Sequence, residues 1–145
     1  MVIDEINEVT DEVYQAFQRL IPQLTRYSPP PTREALQVMV KSTDVFVFIA
    51  RHPTSDDEIV GTATLGTFIT PTGRHGWIED VVVDKGARRQ GIGEALTQAC
   101  IEKARSLSLG EVNLTSNPSR VAANKLYQQM GFIQRDTNVY RLSLD

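Results

Sequence analysis

A basic, glycine-containing turn lies between two regular segments near the middle of the chain. It follows the β-forming run 81–83 and opens directly into a helical pattern. The first turn of a helix has unsatisfied backbone N–H groups and carries roughly half a unit of positive dipole charge. Its glycines allow close approach of a ligand, and its arginines add positive charge. The turn therefore predicts a phosphate site at a helix N-terminus, formed by Arg88, Arg89, Gln90, Gly91, Ile92 and Gly93.

Two other phosphate-binding motifs are excluded by single residues. A P-loop requires Lys followed by Ser or Thr after its last glycine. Gly86 and Gly91 have the right spacing, but Ile92 and Gly93 follow them. A dinucleotide-binding fingerprint requires a third small residue three positions after Gly93, where this chain has Leu96. Neither motif fits.

The turn instead resembles the acyl-CoA loop of the GNAT family of N-acetyltransferases. That loop reads Arg or Gln, two residues, Gly, any residue, then Gly or Ala, as residues 88–93 do here. Residues 117–132 resemble the family's downstream motif, which has the character Asn-x-x-Ala-x-x-Leu-Tyr-x-x-x-Gly-Phe. It follows one helix and one strand later, at the expected distance. The resemblance covers residues 77–132, over a third of the chain.

The order of secondary-structure patterns predicts an α/β fold, a mixed sheet covered by helices on both faces. The resemblance implies the GNAT fold, with a central, mostly antiparallel twisted sheet, in a single domain of residues 1–145. Asp11 is the expected N-cap of the first helix, Thr32 that of the second, and residues 71–76 the loop of a hairpin. The predicted helices are 11–24, 32–40, 91–108 and 120–130, and the predicted strands are 45–50, 59–69, 77–83, 112–114, 132–134 and 138–144, after an extended start at 2–9.

The resemblance also implies the reaction, in which an acetyl group moves from acetyl-CoA to a primary amine by direct attack. An alkyl amine has a pKa of about 10.4, so some group must accept its proton, and the leaving thiolate needs an acid. Tyr127 matches the tyrosine that the family uses as general acid. In the family, an acidic residue on the strand that corresponds to residues 77–83 often takes the amine proton, directly or through water. Glu79 and Asp80 are the candidates; strand alternation places them on opposite faces, and Glu79 is favoured.

The acetyl-CoA site is likewise assigned by resemblance. Backbone atoms of the strand at 81–83 are expected to pair with the pantetheine arm like an added strand, and a backbone N–H to polarise the thioester carbonyl. Asn124 lies one turn before Tyr127, so its amide is expected to reach the cofactor or to be plain helix surface. The assigned residues are Val81, Val82, Val83, Arg88, Arg89, Gln90, Gly91, Ile92, Gly93, Asn117 and Asn124.

Composition narrows the remaining possibilities. The 145 residues include 41% hydrophobic and 23% charged residues with a net charge of -3, which does not favour a nucleic-acid partner. Cys100 is the single cysteine and is expected to be a buried structural thiol. The positions of the two histidines do not match a metal-ligand pattern, so no metal is expected. No apolar run approaches the ~20 residues of a membrane span, and residues 1–5 do not resemble a signal peptide, so a cytoplasmic location is expected.

The acceptor amine stays open. Residues 76–83 resemble the corresponding strand of glucosamine-phosphate N-acetyltransferases, and the same run occurs in relatives acting on other small amines. A sugar phosphate would need basic residues, which Arg74, Arg120 and Lys125 could supply. Two alternatives are a peptide or protein N-acetyltransferase and a non-catalytic acetyl-CoA sensor. The apolar strand predicted at 138–144 also offers an edge for a homodimer.

Overall fold

The protein forms two compact units, a sheet unit of Met1–Leu114 and a C-terminal unit of Thr115–Asp145. A computed structural model describes residues 1–53 and 56–145. The prediction of one domain over residues 1–145 stays a prediction. The sheet unit holds the strands and the first three helices, and the C-terminal unit holds the last helix.

Five strands form one mixed sheet in the order β1-β2-β3-β4-β5. The first three pairings are antiparallel, and β5 joins β4 in parallel. The predicted mixed, mostly antiparallel sheet is confirmed. The strands are β1 Val2–Ile6, β2 Val45–Arg51, β3 Ile59–Thr70, β4 Gly73–Val83 and β5 Val112–Asn113; the helices are α1 Asp11–Leu24, α2 Arg33–Lys41, α3 Ile92–Ser106 and α4 Val121–Gln129.

Alternation along β2 places helices on both faces of the sheet. Val47 and Ile49 are buried in one core with residues of α1 and α2, such as Leu20 and Leu36. Phe46 points to the other face, where the Nζ of Lys103 in α3 lies 4.6 Å from its ring centroid. Burying one such aliphatic side chain contributes about 1.5–3 kcal/mol, so the two packed faces hold the sheet between the helices.

Threonine side chains cap the first two helices. Thr10 Oγ1 accepts the N–H of Val13 at 3.2 Å, and Thr32 Oγ1 accepts the N–H of Ala35 at 3.1 Å. The prediction for Thr32 is confirmed, whereas Asp11 as the first N-cap is wrong by one residue. Thr10 has the extended backbone of an N-cap, and Asp11 is the first helical residue, where its charge still favours the helix dipole.

The β3–β4 hairpin is tighter than predicted. Residues 71–76 were expected to form its loop, but Thr70 pairs with Gly73 and only residues 71 and 72 make the turn. Gly73 has φ of 123°, which a residue with a Cβ rarely adopts. Glycine and proline content marked the turn correctly, but the extent of cross-strand pairing shortened it.

The two predicted closing strands are wrong. Residues 132–134 and 138–144 are not strands, and the sheet ends at β5. The apolar side chains of the tail are largely exposed, from 77% for Val139 to 90% for Leu144. Alternating apolar residues supply strand propensity, but a strand also needs a partner for its backbone hydrogen bonds.

Candidate active site

A β-bulge interrupts β4 at the two predicted carboxylates. Thr62 pairs with Val82 while Thr64 pairs with Glu79, so β4 has one more residue than β3 between these pairs. Asp80 lies in this interval with φ of 53°, in the left-handed region. The predicted alternation of Glu79 and Asp80 between opposite faces assumed a regular strand, and with the bulge it stays a prediction. Glu79 pairs with Thr64, and Thr64 pairs with Val47, which places Glu79 on the face that α1 and α2 cover.

One edge of β4 is left open beyond this point. β5 pairs with β4 through Gly76 and Trp77 alone. No strand of the described chain pairs with residues 78–83 on that side. Backbone donors and acceptors along this edge are therefore available to an extended ligand, as in strand addition.

The basic turn that leaves β4 is tightly shaped. Asp84 Oδ1 accepts the N–H of Gly86 at 3.1 Å and caps a short 3₁₀ turn at Lys85–Ala87. Arg88 Nε then donates to the carbonyl of Val83 at 3.2 Å. Arg89 and Gly91 are both left-handed, with φ of 64° and 77°, and they turn the chain into α3. We name residues 84–93 the phosphate loop, after the role predicted for it.

The N-terminus of α3 carries no side-chain cap. Its N-cap is Gly91, which has no side chain to accept a hydrogen bond from the first turn. A Cβ on Gly93 would lie 3.8 Å from Val83 Cγ2, an ordinary contact, so protein packing does not require glycine there. Ile92 is 2% exposed, so its side chain belongs to the core and its backbone alone can face a ligand. This helix start can accept an anion on its free N–H groups.

In the C-terminal unit, Asn124 and Asn117 shape the turn that precedes α4. The Asn124 amide donates to the carbonyls of Asn117 and Arg120 at 2.9 and 2.8 Å. Asn117 Oδ1 accepts the N–H of Ser119 at 2.9 Å. Both donors of Asn124 are thus directed at its own unit. Sequence reasoning missed this bracing role; contact of either asparagine with the cofactor stays a prediction.

Tyr127 is a buried tyrosine on α4. Its ring meets that of Phe132 edge-on, with centroids 5.8 Å apart. Burial raises the pKa of the Tyr127 phenol, and the charge of Arg120 opposes that rise. The phenol therefore holds its proton at neutral pH, as a general acid must.

Two other titratable groups bear on the predictions. Burial raises the pKa of Glu79, and the adjacent Asp80 carboxylate raises it further. A carboxylate whose pKa is shifted towards neutral pH is better suited to act as a general base. Cys100 is fully buried, and burial raises the pKa of its thiol to about 12, which confirms a structural thiol rather than a nucleophile.

Comparison with known proteins identifies the family. The sequence matches the family model described as "Acetyltransferase (GNAT) family" over residues 10–132. The chain belongs to the GNAT family of acetyltransferases. It is an acetyl-transferring enzyme, and the GNAT family uses acetyl-CoA as donor.

Three relatives illustrate the range within the GNAT family. Glucosamine 6-phosphate N-acetyltransferase 1 of rice (Oryza sativa subsp. japonica) is 29% identical over 135 residues, which are 88% of this chain and 79% of the relative. N-alpha-acetyltransferase 30 of Dictyostelium discoideum is 38% identical over 72 residues, 48% of this chain and 39% of the relative. The structure of an acetyltransferase from Agrobacterium tumefaciens strain C58 aligns with a TM-score of 0.82 at 21% identity, covering 99% of this chain and all of that one. The structural likeness confirms the fold.

Three further predictions concerned Arg74, metal ligands and membrane-spanning segments. Arg74 donates to Thr67 Oγ1 at 3.1 Å and lies 3.7 Å from Asp44, so it braces the β3–β4 hairpin, and its contact with a sugar phosphate stays a prediction. Residues 1–53 and 56–145 contain no group of three or more His, Cys, Asp or Glu side chains that could hold a metal. Within the same residues, no helix is long and apolar enough to cross a membrane.

Proposed function

We propose that this enzyme moves the acetyl group of acetyl-CoA to the primary amine of a small molecule by direct attack. The observation that carries the proposal is the uncapped N-terminus of α3, which follows directly on the open edge of β4. A pyrophosphate and an extended pantetheine arm require these two features in this order along the chain. Both lie within the sheet unit.

In this proposal the phosphate loop holds the pyrophosphate. The backbone N–H groups of Gly91, Ile92 and Gly93 donate to it, and Arg88, Arg89 and Gln90 border it. The pantetheine arm runs along residues 81–83, and Asn117 and Asn124 are the further cofactor residues of the proposal. The two left-handed residues of the loop support this role, because they turn the backbone so that successive N–H groups can share one anion.

The proposed reaction has three steps. Glu79 or Asp80, directly or through water, accepts the proton of the amine, and the raised pKa of Glu79 supports Glu79 in this role. The neutral nitrogen attacks the thioester carbonyl carbon, and a backbone N–H stabilises the oxyanion. The C–S bond breaks as Tyr127 gives its proton to the thiolate of CoA. No metal takes part in the proposal.

A sugar phosphate is the first acceptor to test. The rice relative, named for glucosamine 6-phosphate, aligns with most of this chain. A peptide or protein N-terminus is the second candidate, because the Dictyostelium relative named as an N-alpha-acetyltransferase shares 38% identity over 72 residues. The proposal also includes a cytoplasmic location, where a single thiol stays reduced, and a homodimer. Sedimentation at micromolar concentration tests the dimer.

The test is thiol release from acetyl-CoA across a panel of amines. The panel contains glucosamine 6-phosphate, glucosamine, polyamines, aminoglycosides, free amino acids and short peptides. Turnover with a small amine supports the proposal and names the class. Turnover with peptides alone replaces it by the second candidate. Acetyl-CoA binding without turnover on any amine would indicate a sensor and contradict the proposed reaction.

Tyr127→Phe separates chemistry from binding. We expect turnover to fall by about 10²–10⁴-fold, because the leaving thiolate loses its acid. The Kd for acetyl-CoA, measured by calorimetry, should change little. Unaltered turnover would remove Tyr127 from the mechanism.

A further inference from the structure

The C-terminal end of α1 contacts the beginning of the phosphate loop. Gln23 Oε1 accepts the backbone N–H of Lys85 at 2.9 Å, although the two residues are 62 positions apart. Lys85 opens the 3₁₀ turn that leads to the arginines and glycines of the loop. A side chain of the first helix therefore holds the backbone of the loop.

Arg19, one turn earlier on α1, reaches the neighbouring loop residue. Its Nε lies 3.6 Å from Asp84 Oδ2, and its Nη2 donates to the carbonyl of Ile59 at 2.6 Å. The other oxygen of Asp84 accepts the N–H of Gly86 at 3.1 Å. Asp84 thus joins α1 to the interior of the loop through the two oxygens of one carboxylate.

Together these contacts restrain two successive loop residues, 84 and 85, from the same helix, and Asp84 in turn holds the N–H of Gly86. A loop that must align several N–H groups on one anion binds more tightly when its conformation is fixed beforehand, because less conformational entropy is lost on binding. We infer that Gln23 and Arg19 are positioning residues that fix the phosphate loop for the pyrophosphate of acetyl-CoA. This inference depends on the proposed role of the loop.

Of the two, Gln23 makes the shorter contact with the loop. Its bond to Lys85 is a direct hydrogen bond to a backbone group that a 3₁₀ turn leaves without a helical acceptor. The Arg19–Asp84 pair is longer, and both side chains are partly exposed, which makes such a pair weak. The test is therefore made at Gln23.

The experiment compares Gln23→Ala with a matched control, Gln18→Ala. Gln18 is also a half-buried glutamine of α1, and its Nε2 donates to a backbone carbonyl, that of Pro31, at 2.9 Å away from the loop. We expect the Kd for CoA, measured by calorimetry, to rise about three- to tenfold in Gln23→Ala, the effect of one hydrogen bond. In Gln18→Ala it should stay within error of the wild type. Gln23→Met, which keeps the length of the side chain without its amide oxygen, should behave like Gln23→Ala.

A donor without the pyrophosphate separates positioning from general destabilisation. For S-acetylpantetheine, kcat/KM should be the same in wild type and Gln23→Ala, while for acetyl-CoA it falls and kcat at saturation is kept. Equal losses with both donors, or equal CoA affinity in wild type and both Gln23 variants, would overturn the inference alone. Failure of the wild type to bind CoA would instead overturn the proposed function.

Discussion

Helices of the sheet unit begin in two different ways. α1 and α2 are capped by the hydroxyls of Thr10 and Thr32. α3 begins at Gly91 without a side-chain cap, after the left-handed residue Arg89. Each of the first two starts satisfies one backbone N–H group with a side chain, whereas the third has no such cap and is the start that we propose binds a ligand.

The pKa values of a carboxylate in α1 and one in β4 are shifted in opposite directions. In α1, the hydrogen bond and charge of Arg51 lower the pKa of Glu12, so the ionised form is stabilised. In β4, burial and Asp80 raise the pKa of Glu79, so the ionised form is disfavoured. Together with the left-handed bulge at Asp80, this indicates that β4 and the phosphate loop contain destabilising features that α1 and α2 lack.

A charge at the start of α3 should produce the largest effect. In Gly93→Asp, a carboxylate lies where the pyrophosphate is proposed to bind, and repulsion at about 4 Å is worth a few kcal/mol near a protein surface. We expect CoA affinity to fall at least about a hundredfold. The free energy of unfolding should stay level or rise slightly, because an acidic residue in a first turn favours the dipole.

Gly93→Ala is the control for this variant. A Cβ at this position has ordinary contacts and adds no charge, so the loss of CoA affinity should be much smaller. Calorimetry gives the affinities, and urea unfolding gives the stability. Retained tight CoA binding in folded Gly93→Asp would contradict the phosphate-loop assignment.

Removing the threonine cap of α2 should lower stability and leave CoA affinity unchanged, the reverse of the result expected for Gly93→Asp. Thr32→Ala loses the acceptor for the N–H of Ala35, and we expect unfolding free energy to drop by about 1 kcal/mol. CoA affinity should not change. Thr32→Ser keeps the hydroxyl and should retain most of the stability. A change in CoA affinity on removal of this cap would erase the distinction between the two helix starts.

The smallest effect concerns stability as a function of pH. Since the folded pKa of Glu79 is raised, the folded state holds its proton more firmly than the unfolded state. Its unfavourable contribution therefore develops as pH rises from the ordinary pKa of 4.5 through the folded pKa. Thermal melts from pH 4 to 8 should show that Glu79→Gln gains stability relative to wild type as pH rises.

Glu12→Gln is the opposite-sign counterpart. The lowered pKa of Glu12 stabilises the fold above its ordinary pKa, and that contribution is lost as pH falls through the folded pKa. This variant should thus lose stability relative to wild type at neutral pH and approach it in acid. Parallel pH profiles for the two variants would show that the carboxylates do not differ as described.

Much of the site could be predicted from local sequence. The phosphate loop, the helix that follows it and the position of Tyr127 on α4 all depend on residues close together in the chain. Glycine conformation, helical periodicity and dipole charge act over a few residues, so the pattern contains the information. The buried state of Cys100 follows from the same periodicity.

The tertiary structure decided what depends on distant partners. Strand pairing introduced the bulge at Asp80 and tightened the hairpin turn, and residues 138–144 are not a strand. The hydrogen bond from Lys85 to Gln23 joins two parts of the chain that no local pattern connects. Sequence alone determined which residues have the chemistry and propensity for an acetyltransferase site. Only packing decided which backbone groups find partners, because register and pairing are set by the whole sheet.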